Sequence, residues 1–121
     1  MAQASAREIS NSIVQMYSQK SSRILDDITT DDFIFWDNVD TRNKPKSVIM
    51  AEFDQYISQF KSVDANVLRL EELSDGFLQQ HVVIGTLQNN QAAKDHHVCL
   101  IVRTRDGKVS RIDEYCDSAA G

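Results

Sequence analysis

The stretch GFLQQHVVIGTL, residues 76–87, decides how the second half of this chain is read. Alternate residues of a strand share a face, so Gln79, His81 and Val83 fall on one side and Leu78, Gln80, Val82 and Ile84 on the other. The turn signals SDG before it and QNNQ after it make it one member of a series. The other members are NVLRLEELS (66–74), DHHVCLIVRTR (95–105) and KVSRIDEYCD (108–117), the last two joined through RDGK. Strands separated by such short turns predict an antiparallel meander.

The first half reads differently. Ile9, Ile13, Met16 and Tyr17 recur at helical spacing and predict a helix over 6–17, with Ser5 as a cap three residues before Glu8. A short helix is expected over 22–28, leading to a strand that begins near Phe33. Val48, Ile49, Phe53, Tyr56, Ile57 and Phe60 mark a third helix over 47–60. Helices first and a meander afterwards predict an α+β domain with the helices on one face of a curved sheet.

With 121 residues, 41% of them hydrophobic, the chain fits one domain spanning 1–121. No repeat or Pro-rich or Gly-rich segment divides it, and its one proline, Pro45, lies in the loop VDTRNKPKS. The runs HVVIG and VCLIV are far too short to cross a bilayer, and MAQASAREIS has no basic segment followed by an apolar one. No membrane association and a soluble, cytoplasmic protein are therefore expected. The net charge of -5 and the scattered Lys and Arg argue against nucleic acid as a partner. Cys99 and Cys116 do not have metal-ligand spacing and read as reduced strand residues, and the pair His96–His97 alone is weak evidence for a metal. Neither metal nor cofactor is expected.

The order of elements, together with DDFIFWDN (31–38), DGFLQQHVVIGTL (75–87) and RTRDGKVSRIDEYCD (103–117), resembles the nuclear transport factor 2-like superfamily, and within it the SnoaL-like proteins. The resemblance implies a cone-shaped α+β barrel, with three N-terminal helices on a strongly curved, mainly antiparallel sheet around an apolar pocket. That superfamily includes ketosteroid isomerase, limonene epoxide hydrolase, polyketide cyclases, dehydratases and non-catalytic members, so the fold alone does not give the function.

Comparison with ketosteroid isomerase and limonene epoxide hydrolase implies that His81, Val83, His96, Val98, Leu100 and Val102 face inward. In the last strand it turns Ile112, Glu114 and Cys116 inward and Arg111, Asp113 and Tyr115 outward. This register requires RDGK to form a type I turn with a left-handed Gly107 and a bulge. A two-residue type I′ turn would pair Arg105 with Lys108 and put Glu114 on the face of Cys99.

By the same resemblance Asp37 falls at the general base of ketosteroid isomerase, and Glu114 where limonene epoxide hydrolase keeps an acid. Asp37, His81 and Glu114 are thus the expected catalytic residues, with His81 raised in pKa by a neighbouring carboxylate. Ile13, Tyr17, Trp36, Gln79, Val83, His96, Val98, Leu100, Ile112 and Cys116 are the expected substrate-binding residues. The oxyanion hole of ketosteroid isomerase is not reproduced, because Leu100 stands where it keeps a protonated Asp. Nor is the epoxide hydrolase triad, with His81 at its Arg and Val83 at one acid.

A plainer reading of Asp37 is a strand-end acid bonded to the loop carrying Arg42 and Lys44. The expected function is a cofactor-independent lyase or isomerase (dehydratase, isomerase or cyclase) acting on a small apolar cyclic or polyketide/terpenoid-like molecule. A non-catalytic small-molecule-binding or dimerisation domain and an epoxide hydrolase are the alternatives. Cys99, Ile101 and Tyr115 on the outer sheet face predict a homodimer.

Overall fold

The computed structural model describes residues 5–117. Helix α1 spans Ala6–Ser18 and starts with the expected capping box: Ser5 Oγ accepts from Glu8 N and Glu8 Oε1 accepts from Ser5 N, each at 3.1 Å. Its Ile9, Ile13, Met16 and Tyr17 are buried. Helix α2 spans Arg23–Ile28, and the buried Ser22 ahead of it donates from N and Oγ to Asp54 at 2.8 and 2.9 Å. Asp54 belongs to α3, Lys46–Ile57, so these bonds tie two helices together.

Strand β1 runs over Thr29–Asp37, four residues earlier than the apolar run suggests, and a two-residue strand β2 at Lys44–Pro45 pairs with it. The third helix stops at Ile57 rather than Phe60, which opens β3, Phe60–Leu73. Phe60 sits four residues after Tyr56 and so fits the helical period, but it is buried as a strand residue opposite Leu87. Strands β4 (Gly76–Leu87), β5 (His96–Arg105) and β6 (Lys108–Cys116) complete the meander.

The sheet order is β2-β1-β6-β5-β4-β3, antiparallel except for the parallel pair β1 and β6. It is curved and unclosed, a cone with β2 and β3 at its edges. The helices pack their apolar stripes on its inner face, where Phe33, Val98, Leu100, Val102, Val109 and Ile112 are buried.

The β5–β6 hairpin corrects the expected turn and keeps the expected facing. Asp106 (φ 54°) and Gly107 (φ 80°) are both left-handed, which is the type I′ form, and Arg105 pairs with Lys108. The register then slips between Arg103 and Thr104: Thr104 opposes Val109, and Arg103 opposes Arg111. Ser110 is the extra residue, and this bulge inside the strand, not one at the turn, sets Leu100 opposite Glu114.

Gly76 begins β4 where two backbones meet. A Cβ there would collide with the Val102 carbonyl oxygen. Gly76→Ala is expected to destabilise the fold by at least about 1–3 kcal/mol, the usual cost of overpacking. A thermal unfolding midpoint equal to that of the parent chain would contradict this.

Candidate functional site

Between the helices and the inner sheet face lies a cavity of about 210 Å³. A buried water needs only about 10–15 Å³ by this kind of measure, so the space suits a small organic molecule. Its walls are apolar because alternate strand positions and one stripe of each helix converge on it: Ile13, Met16 and Leu25 from the helices, Val98, Leu100 and Ile112 from the sheet.

At one end the lining turns polar. Asp37 on β1 and Glu114 on β6 are direct partners across the parallel pair, so their carboxyls emerge side by side. Asp37 Oδ1 accepts from the N–H groups of Val39 (3.0 Å) and Asp40 (2.7 Å), and Oδ2 from Lys44 Nζ at 3.2 Å. Asp37 therefore lines the cavity and also anchors the Lys44 loop.

Lys44 pairs opposite Phe35 and points inward, with 2% of its surface exposed. Burial opposes its charge, but hydrogen bonds to Asp40, to Glu52 (2.7 Å) and to Asp37 hold the ammonium above its ordinary pKa. Beside this cluster Glu114 is pushed up to about 7, first by burial and then by the charge of Asp37, against the opposing pull of Lys44 and the Cys116 thiol. Glu114 thus changes protonation near neutral pH.

Two phenols share the cavity. Tyr17 is raised well above its ordinary pKa by burial and by Glu114, and Tyr56 is pushed up to about 12 by the same two causes in that order. Both stay protonated as hydrogen-bond donors. His96 lines the wall near Tyr56, with ring centroids 6.4 Å apart, and burial lowers its pKa.

Of the expected set, the structure brings Asp37, Glu114, Ile13, Tyr17, His96, Val98, Leu100 and Ile112 onto the cavity. His81 is elsewhere. Asp37, Glu114 and His81 sit on β1, β6 and β4, and β5 intervenes between the last two, so about 10 Å of sheet separates His81 from Glu114. His81 is 1% exposed, its Nδ1 lies 2.9 Å from Gln79 Nε2, and its ring meets that of Tyr17 edge-on at 5.5 Å. The expected contact with a carboxylate is not made, and the expected upward shift is reversed: burial, then His96, push His81 down to about 4. His81 Nε2 and Gln79 Oε1 have no hydrogen-bond partner among the described residues.

Gln79 and Val83 are buried on the same face without reaching the cavity wall. Trp36 follows a cavity-lining residue and precedes another, so strand parity turns it outward, where its ring lies 5.4 Å from Tyr115. Cys116 bonds Glu114 instead of lining the wall, and its thiol is pushed up to about 11 by burial and then by Glu114. Lys44 was expected only as part of a loop bonded to Asp37, and the cavity residues Glu52, Phe53 and Tyr56 were missed as site residues. The last two were visible only as members of an apolar helix stripe.

The buried neutral His81 has a measurable consequence. An unfolded His titrates near 6.5 and the folded one near 4, so the unfolded state binds the extra proton first. The stability it supports is complete above about pH 6.5 and lost as pH falls toward 4, to a total of about 3 kcal/mol. His81→Leu should flatten this acid limb in denaturation curves taken from pH 7 to 4. An unchanged slope would contradict the assignment.

No family model and no curated protein sequence matches the chain. Solved structures do. A hypothetical protein with a ketosteroid isomerase-like fold from Catenulispora acidiphila DSM 44928, in complex with trimethylamine, superposes with a TM-score of 0.78 at 12% identity, over 93% of this chain and 88% of that one. IdmH, a candidate polyketide cyclase from Streptomyces antibioticus, gives 0.78 at 11% over 95% and 94%. An epoxide hydrolase of the LEH-like kind from M. tuberculosis gives 0.72 at 12% over 95% and 84%. At such identities the likeness is one of architecture: the chain has a ketosteroid isomerase-like, NTF2-like fold.

Proposed function

We propose that this protein is a cofactor-independent isomerase or lyase that moves a proton on a small, mostly apolar cyclic or polyketide/terpenoid-like molecule. The observation that carries the reading is Glu114, a carboxyl pushed up to about 7 in an apolar cavity, beside a second carboxyl whose oxygens are already engaged. Neighbours described as ketosteroid isomerase-like, candidate polyketide cyclase and epoxide hydrolase lend support. His81 has no part in the scheme, because its ring lies off the cavity wall.

In this scheme ionised Glu114 takes a proton from a carbon next to a carbonyl. The C–H electron pair moves into a C=C bond and the carbonyl oxygen becomes an enolate. Tyr17 and Tyr56, protonated and lining the same cavity, donate hydrogen bonds to that oxygen. Glu114, now the acid, returns the proton to another carbon, or to a departing hydroxyl where the substrate carries one. Burial, and after it the neighbouring charge of Asp37, whose oxygens accept from Val39, Asp40 and Lys44, keep the Glu114 proton near its midpoint.

The test uses cyclohex-3-en-1-one in deuterated water, followed by NMR for migration of the double bond and deuterium uptake. Catalysed exchange that is lost in Glu114→Gln supports the reading. Binding of the ketone without exchange by the parent chain would leave a non-catalytic binding domain in its place.

The same reading includes a cytoplasmic homodimer. Free Cys99 and Cys116 fit a reducing compartment. The outer sheet face carries Trp36 against Tyr115, the latter 48% exposed, together with Ile101 and Leu78. Tyr115→Glu should shift the mass in solution at micromolar concentration toward the monomer, and a parent chain that is already monomeric would remove the proposal.

A further inference from the structure

We propose that the cavity takes a small organic cation, an ammonium group seated between its aromatic rings and its carboxylate end. This names the substrate class for the site just described and rests on that reading only in using the same cavity.

Tyr17, Phe35, Phe53 and Tyr56 line the space. The rings of Tyr17 and Phe53 meet edge to face, with centroids 5.2 Å apart and planes at 81°, so they form two walls of a corner. Ring faces attract cations, and more strongly where water is excluded.

The charge balance points the same way. Asp37, Glu52 and Glu114 all line the cavity, and no Lys or Arg does among the described residues. The nearby ammonium of Lys44 is already shared by Asp37, Asp40 and Glu52. That end therefore carries more negative charge than its own cation offsets, before Glu114 is counted. A carboxylate or phosphate substrate would meet repulsion there, and a neutral one would leave the excess uncompensated. An ammonium group would be held by both the charge and the rings.

Cation binding also couples to protonation. Glu114 is faced by Cys116 on its own strand, Asp37 on β1, Lys44 on β2, His96 on β5, Tyr17 on α1, and Glu52 and Tyr56 on α3. Of these, only Lys44 now favours its ionised form by charge. A second cation would act in the same direction and drive off the Glu114 proton.

The test compares choline with its uncharged isostere 3,3-dimethylbutan-1-ol and the anion 3,3-dimethylbutanoate, by calorimetry at pH 7 in two buffers of different ionisation enthalpy. Choline should bind on the order of tenfold tighter than the alcohol, release a fraction of a proton, and lose most of this advantage in Phe53→Leu and Glu52→Gln variants that remain folded at the assay temperature and keep their affinity for the alcohol. Equal affinity for choline and the alcohol, preference for the anion, or choline binding untouched by both variants would overturn the proposal. Each of those results leaves the deuterium-exchange test intact. Charge discrimination without exchange would remove the enzymatic reading and keep the cation site.

Discussion

Glu114→Gln is expected to lose proton transfer by a factor on the order of 100 or more and, in the same variant, to make the protein more stable at alkaline pH. The two effects have one cause. The Glu114 carboxyl is raised from 4.5 to about 7 because burial and the charge of Asp37 penalise its ionised form. Between these values the folded state keeps a proton that the unfolded state has released, so the contribution is complete below about pH 4.5 and lost as pH rises through 7. The loss amounts to as much as about 3 kcal/mol. Glutamine keeps the shape and cannot ionise, so the variant should match the parent near pH 4 and exceed it at pH 8.5 in chemical denaturation. Parallel pH profiles for the two proteins would show that Glu114 is not strained in its charged form.

This opposes the contribution of His81, whose stability grows as pH rises from about 4 and is complete above about 6.5. The parent chain therefore holds one buried base that favours high pH and one buried acid that favours low pH, and each is isolated by its own substitution. Only Glu114 faces the cavity.

The alternation in GFLQQHVVIGTL and the helical spacing of Ile9, Ile13, Met16 and Tyr17 made the elements legible, because each encodes a single buried face. What alternation cannot tell is how far along the sheet two inward residues sit. His81 and Glu114 were correctly placed on one face, yet β5 stands between their strands. Trp36 shows the converse: parity with Asp37 alone turns it outward, although its neighbours in sequence are pocket residues.

The β5–β6 hairpin was ambiguous for a different reason. A bulge at Gly107 and a bulge at Ser110 give the same facing for Glu114, and no residue near Ser110 announces an extra position. Lys44 was legible as part of a loop bonded to Asp37 but not as a buried ammonium, since its burial depends on three carboxylates drawn from separate places, Asp37, Asp40 and Glu52.

Lys44→Met should be the most damaging single change at the site. Removing one partner of a buried ion pair costs about 3–5 kcal/mol, because the other charge is left without compensation. Here Asp40 and Glu52 have side chains 45% and 41% exposed and can turn to water, whereas that of Asp37 is only 10% exposed. The cost therefore falls mainly on Asp37, which retains the N–H groups of Val39 and Asp40, and the lower end of the range is expected.

Pairing the change with Asp37→Asn should recover part of the lost stability, because the stranded charge is gone; a double variant less stable than Lys44→Met by the full cost of Asp37→Asn alone would argue against coupling. The same substitution tests chemistry as well as structure. Lys44 opposes the burial and the Asp37 charge that raise Glu114, so without it the Glu114 proton is held to higher pH. Deuterium exchange that depends on ionised Glu114 should rise with pH through about 7 in the parent chain and at a higher pH in Lys44→Met. A lowered rate with an unmoved midpoint would make Lys44 a purely structural clamp, while a shifted midpoint ties the buried ammonium to the proton that Glu114 carries.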